Sequence, residues 1–156
     1  MTRPSILICT VGTSLIRPNL EGLKKDLLDG KLPPDRRPLA AAYQAGDWPA
    51  VARELGRLAP NERLCGAEIN SVASMIDKGY VPADCGLFFV HSDTDDGRHI
   101  AAALAAWARA RGHTPVEAVA VPDLQDQDPK RFRTGGLRQL ARQRESHIFF
   151  DQLHFL

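Results

Sequence analysis

The chain has no cysteine pair at metal or redox spacing, no long apolar run and no excess of either charge. Each absence removes a class of function. Its three cysteines, Cys9, Cys65 and Cys85, stand far apart with no CxxC, so neither a zinc ribbon nor a thioredoxin-type dithiol is encoded. Cys9 and Cys85 lie in apolar runs, where a cysteine packs as a small hydrophobe. An odd cysteine count without a disulfide framework fits a reduced compartment, and a cytoplasmic location is expected. No stretch approaches the roughly 20 apolar residues of a membrane span. The run from Ile6 to Val11 is too short for a signal peptide, and no cleavage pattern follows it. A formal net charge of +1 gives no bulk attraction to nucleic acid or anionic lipid, so neither direct DNA binding nor a membrane partner is expected. The phosphate-binding signatures GxGxxG and GxxxxGKS/T are both missing. The five histidines show no ligand spacing, and neither a metal nor a cofactor is expected.

What is present describes a globular α/β chain. Its 156 residues suit one domain, 1–156, since domains commonly run to about 100–200 residues. A chain of this size buries about two-thirds of its extended surface, enough for a core without staples. Hydrophobic residues at 44% and charged ones at 25% match the globular average. Two apolar runs, 5–11 and 86–91, read as strands buried on both faces, and 116–121 and 147–150 read as a third and a fourth strand. Helical periodicity fills the spaces between them, over Leu20 to Leu28, Trp48 to Leu58, Ala67 to Lys78, Arg98 to Arg111 and Gly136 to Arg144. Asp47 is placed to cap the second of these and Gly79 to end the third. Residues 30–38, with three prolines, read as a loop. Strands alternating with helices imply right-handed crossovers, hence a Rossmann-like three-layer domain with a mainly parallel central sheet. Ligands of such sheets gather at the carboxyl ends of the strands.

Four loops therefore carry the functional interest. Thr10-Val-Gly-Thr-Ser14 follows the first strand: Gly12 permits close backbone approach, and Thr13 and Ser14 add hydroxyls to exposed amides. A plain strand-to-loop turn reads the same way. His91-Ser-Asp-Thr-Asp-Asp-Gly97 follows the second strand and is rich in carboxylates, but counted from Asp93 the fifth position is Gly97 and the twelfth Leu104, so the EF-hand template fails. Asp95 or Asp96 serves as a helix cap on this reading, with Ser92 and Thr94 left as ligand candidates and His91 as a hydrogen-bonded structural residue. After the third strand, Lys130, Arg131 and Arg133 precede Gly135-Gly136 at a helix start, which fits either a phosphodiester site or a solvated loop. Gly66-Ala-Glu-Ile-Asn-Ser71 opens a helix. Glu68 is a first-turn acid there, and Asn70 and Ser71 are poor helix formers that hint at side-chain roles.

Taken in order, Thr10-Val-Gly-Thr-Ser-Leu15, Gly66-Ala-Glu-Ile-Asn-Ser71, Ser92-Asp-Thr-Asp-Asp-Gly97 and the Leu124…Arg131-Phe132…Gly136-Leu137 segment resemble the CRISPR-associated Rossmann fold, or CARF, domain of type III accessory proteins. The resemblance spans about residues 5–145. It implies a homodimer that binds a cyclic oligoadenylate, commonly cyclic tetra-adenylate, across its axis. It carries ligand contacts over to Thr10, Gly12, Thr13, Ser14 and Leu15, to Glu68 and Asn70, to Ser92, Asp93 and Thr94, and to Arg133, Gly135 and Gly136. Some members also cleave the ring by attack of a 2′-hydroxyl on its neighbouring phosphate. For that reaction the resemblance implies catalytic roles for Ser14, which orients the phosphate, and for Lys130 or Arg131, which offset its charge. The stretch Ser146 to Leu156 departs from the family, lacking the usual glycine-rich basic segment, and a downstream HEPN domain with its R-x4–6-H motif is not expected. That departure leaves a sensor as the first expectation and a ring nuclease as the alternative. A Rossmann-like protein binding an ordinary nucleotide, or acting as a scaffold, is a third reading.

Overall fold

β1 (Ile6–Thr10) forms where the sequence offers four consecutive apolar side chains, Ile6 to Cys9, none more than 2% exposed. A strand apolar on both faces has to be covered on both, and it lies inside the sheet. In the computed structural model, which describes residues 5–59, 62–121 and 153–155, it pairs with β2 (Gly86–Ser92) from Ile6↔Gly86 to Thr10↔Val90. β2 pairs in turn with β3 (Val116–Val121), and on its other side β1 pairs with β4 (Leu153–Phe155). Every pairing is parallel and the strand order is β3-β2-β1-β4. The chain is thus an α/β domain of Rossmann-like type. The path from β1 to β2 to β3 moves one way across the sheet, whereas β4 lies on the opposite side of β1. Strand order therefore reverses beside β1, which makes its carboxyl end the switch point of the sheet.

The helices follow from local signals. α1 (Glu21–Leu28), α2 (Arg37–Gln44), α3 (Trp48–Leu55), α4 (Gly66–Asp77) and α5 (Asp95–Ala110) contribute to one large core with Leu7, Cys9, Leu87 and Phe89 of the sheet. On the other face Ile6, Ile8, Phe88, Val90, Val119 and Val121 form a second buried cluster. Asp47 caps α3 as its position suggests, accepting from Ala50 N–H at 3.0 Å. Gly79, at φ 71°, ends α4.

Several boundaries differ from the sequence reading. α2 was not expected. Pro38, read as the end of a loop, stands instead in its first turn, where no amide hydrogen is needed. α3 stops at Leu55 rather than Leu58. α5 begins at Asp95, three residues earlier than periodicity placed it, and its cap is Thr94 rather than Asp95 or Asp96. The Thr94 hydroxyl accepts from Gly97 N–H at 3.1 Å, which leaves both aspartates in the first turn, where the helix dipole favours them. The expected strand 147–150 and the helix Gly136 to Arg144 lie outside the described residues.

Candidate functional site

The site is built where β1 ends. Thr10 is the first exposed residue of the strand, and Val11 N–H holds the Val90 carbonyl at 2.8 Å, so the chain leaves the sheet at Gly12. From there it turns tightly: the Thr13 carbonyl accepts from Ile16 N–H at 3.0 Å and from Arg17 N–H at 2.8 Å. A kinked helical turn, Leu15–Leu20, follows, broken at Arg17, whose backbone is extended (φ −120°, ψ 117°).

The start of α4 is fastened to this loop by one carboxylate. Glu68 Oε1 accepts from Gly12 N–H at 2.8 Å and Oε2 accepts from the Ser14 hydroxyl at 3.1 Å. Ser14 Oγ in turn accepts from Ala67 N–H at 3.1 Å. Glu68 is only 6% exposed. Burying a carboxylate is costly unless donors surround it, and here a backbone amide, a hydroxyl and the amino end of a helix do so. Gly66 makes the approach possible. Its φ of +80° suits glycine, and a Cβ there would stand 3.3 Å from Glu68 Oε2 and 3.4 Å from Leu15 Cα.

Between loop and helix lies a cavity of about 470 Å³, within the range of small-molecule sites. Thr10, Gly12, Thr13, Ser14 and Arg17 line it from the β1 side, Ala67, Glu68 and Ser71 from α4, and Cys9 from the strand. Among the described residues the N–H groups of Thr13 and Ser14 donate to no protein acceptor. The Cys9 thiol is pushed up to about 12 by burial, with Cys85 and Glu68 adding to the effect. It stays protonated at neutral pH and is not a nucleophile.

The loop after β2 makes its own network. The Ser92 and Thr94 hydroxyls pair at 2.9 Å, and Arg98 reaches Asp93 at 2.5 Å and Asp95 at 2.6 Å. None of Ser92, Asp93 and Thr94 lines the cavity. Arg17 leans towards this loop, 3.9 Å from Asp96, an exposed pair that contributes little to stability. His91 is buried and its Nδ1–H donates to the Ser92 carbonyl at 2.8 Å, the structural role its position suggested.

Of the residues singled out from sequence, the structure brings Thr10, Gly12, Thr13, Ser14 and Glu68 together. Leu15 does not join them: it is fully buried in the main core. Asn70 turns away, donating to the Glu62 carbonyl at 3.1 Å, while the next residue, Ser71, lines the cavity. Lys130, Arg131, Arg133, Gly135 and Gly136 lie outside the described residues. Sequence reasoning missed Arg17. The available signal was a cation just after a strand-end glycine loop, before a proline that stops regular helix. Among the described residues no group of three histidine, cysteine or acidic side chains is placed to hold a metal ion. Nor is any helix there long and apolar enough to cross a membrane.

Residues 63–152, more than half of the chain, match the family model described as CRISPR-associated protein (Cas_APE2256). The chain belongs to this CRISPR-associated family. The match takes in α4 with Glu68 and Ser71, β2, α5 and β3, while the β1 loop lies before it. No curated protein matches the chain.

Proposed function

We propose that this member of the CRISPR-associated family is a CARF-type sensor that binds a cyclic oligoadenylate, most simply cyclic tetra-adenylate, across the axis of a homodimer. The observation that carries the reading is the cavity at the carboxyl end of β1, at the point where strand order reverses. Thr13 and Ser14, whose amides donate to no protein acceptor among the described residues, line it with Arg17, whose guanidinium is held only by an exposed pair with Asp96, a combination suited to phosphodiester oxygens. A ring with two-fold symmetry suits a C2 pair presenting the same loop twice. The resemblance of four ordered loop motifs to CARF domains supplies the ligand's identity. Titration calorimetry with cyclic tetra-adenylate tests the reading: heat with one ring per two chains supports it, and no heat at high protein concentration rejects it. Competition by a mononucleotide instead would favour an ordinary nucleotide site.

A ring-nuclease activity is the second reading, favoured by Arg17 lining the same cavity as Ser14. In that reaction the 2′-oxygen bonds to the adjacent phosphorus as the bond from phosphorus to the 5′-oxygen breaks. The proton lost from the 2′-hydroxyl is balanced by one gained on the 5′-oxygen, giving a linear product with a 2′,3′-cyclic phosphate. Arg17 offsets the charge that builds on the phosphorane, a role Lys130 and Arg131 share on the CARF reading. Chromatography of the ring after long incubation decides: linear product supports cleavage, and intact ring leaves the sensor.

A further inference from the structure

Ser14 Oγ carries one hydrogen and two lone pairs. Glu68 Oε2 takes the hydrogen at 3.1 Å, and Ala67 N–H fills one lone pair at 3.1 Å. What Ser14 has left to offer the cavity is a single lone pair. Glu68 lines the same wall, and a carboxylate also offers only lone pairs. This wall therefore accepts hydrogen bonds and repels anions, so a ligand phosphate is excluded from it. The donors beside this wall are the Thr13 and Ser14 amides, which meet no protein acceptor among the described residues, and Arg17.

We propose that Glu68, acting through Ser14, makes the cavity select a ribose over a deoxyribose. Ser14 Oγ accepts from a 2′-hydroxyl while the adjoining phosphate rests on the neighbouring amides and Arg17. The proposal depends on the nucleotide-ring reading above. An adenine amino group is the other donor such a ring carries. The 2′-hydroxyl is favoured because it sits on the same sugar as the phosphoester oxygen, so adjacent groups of the ligand meet the adjacent residues Thr13 and Ser14. The 2′-hydroxyl is also the group by which a protein tells RNA from DNA at a given site. Glu68 is a positioning residue here: it sets the direction of the Ser14 hydroxyl rather than contacting the ligand.

The experiment is a titration of the protein with three rings: cyclic tetra-adenylate, its all-2′-deoxy counterpart, and the inosine ring, which lacks the amino group. The expected result is binding of the ribose ring about ten- to hundredfold tighter than the deoxy ring, with the inosine ring close to the parent. In Glu68→Gln the new amide donates to Ser14 and turns its hydrogen towards the cavity, so the ribose-to-deoxyribose ratio falls towards one. Ser14→Ala does the same. A loosened loop weakens both rings alike, so the ratio separates positioning from a merely structural role. Equal binding of ribose and deoxy rings by the unaltered protein overturns this proposal and leaves the ring reading standing, as does selectivity against the inosine ring instead. An unchanged ratio in well-folded Glu68→Gln removes Glu68 from it. No binding of any ring overturns both readings together. Should the variants fail to fold, the comparison on the unaltered protein decides alone.

Discussion

Replacing Glu68 with alanine removes a buried side chain that, with Ser14, joins the β1 loop to α4, and the sign of the effect is itself informative. A buried carboxylate costs several kcal/mol in desolvation, so its removal stabilises the fold if its partners compensate it poorly. Here Gly12 N–H at 2.8 Å and the Ser14 hydroxyl at 3.1 Å compensate it, and both lose their acceptor in the variant. Hydrogen bonds to a charged group contribute about 1.5–3 kcal/mol each. Both donors line the cavity, where water replaces part of the loss, so a net destabilisation of about 2–4 kcal/mol is expected. For a chain of this size that lowers the melting temperature by about 4–16 °C. Glu68→Gln keeps an oxygen for Gly12 and loses roughly half as much. Thermal unfolding followed by circular dichroism, with urea midpoints as a second measure, reads the effect. A Glu68→Ala protein that melts at or above the parent temperature refutes the reasoning, because the carboxylate would then be a strained binding group and not a fastening.

The remaining expectations concern local devices and the cavity. Thr94→Ala removes the cap of α5 and lowers stability by about 1 kcal/mol in urea titration, while Thr94→Ser restores most of it. Gly97→Ala puts a Cβ 2.5 Å from the Ser92 carbonyl and 2.7 Å from its hydroxyl, so it destabilises by about 1–3 kcal/mol despite alanine's better helix propensity; a higher melting temperature would contradict the close approach. Arg17→Ala leaves the melting temperature unchanged, since its ion pair is exposed, but weakens binding of cyclic tetra-adenylate about tenfold or more. The Cys9 thiol, raised from 9.0 to about 12 by burial, is protonated in the folded chain and ionised in the unfolded one between those values. Stability from this group is complete below pH 9 and falls by up to about 1.4 kcal/mol per pH unit above it. Urea midpoints from pH 8 to pH 11 on the parent and Cys9→Ala show whether the parent loses more.

β1 and β2 were legible because they carry no competing signal, whereas β4 (Leu153–Phe155) was not expected at all. Ile6 to Cys9 and Leu87 to Val90 are apolar at every position, which only a strand covered on both faces tolerates, and glycine or polar residues end each run. α2 was not legible because its first two residues, Arg37 and Pro38, belong to the proline-rich stretch read as a loop, although Leu39 to Ala42 favour helix and pack between α1 and α3. The start of α5 was missed because threonine and aspartate both cap well. The choice of Thr94 rests on its extended backbone (φ −108°, ψ 161°), which no pattern of residue types reports. In the site, Gly12, Thr13 and Ser14 were marked by a glycine at a strand end, and their place at the switch point agrees. The partnership of Glu68 with Gly12 and Ser14 links residues 56 and 54 positions apart. In one dimension Glu68 looked like an ordinary first-turn acid. Asn70 and Ser71 carried the same hint, and only the helix's rotation shows that Ser71 faces the cavity while Asn70 holds the Glu62 carbonyl.

The measurement that bears most directly on the account is calorimetric titration of the purified chain with cyclic tetra-adenylate, the recovered ring then run on a column. The account predicts saturable heat at one ring for every two chains, lost or much reduced in Arg17→Ala. Absence of heat at high protein concentration, or saturation by a mononucleotide at one per chain, would contradict it.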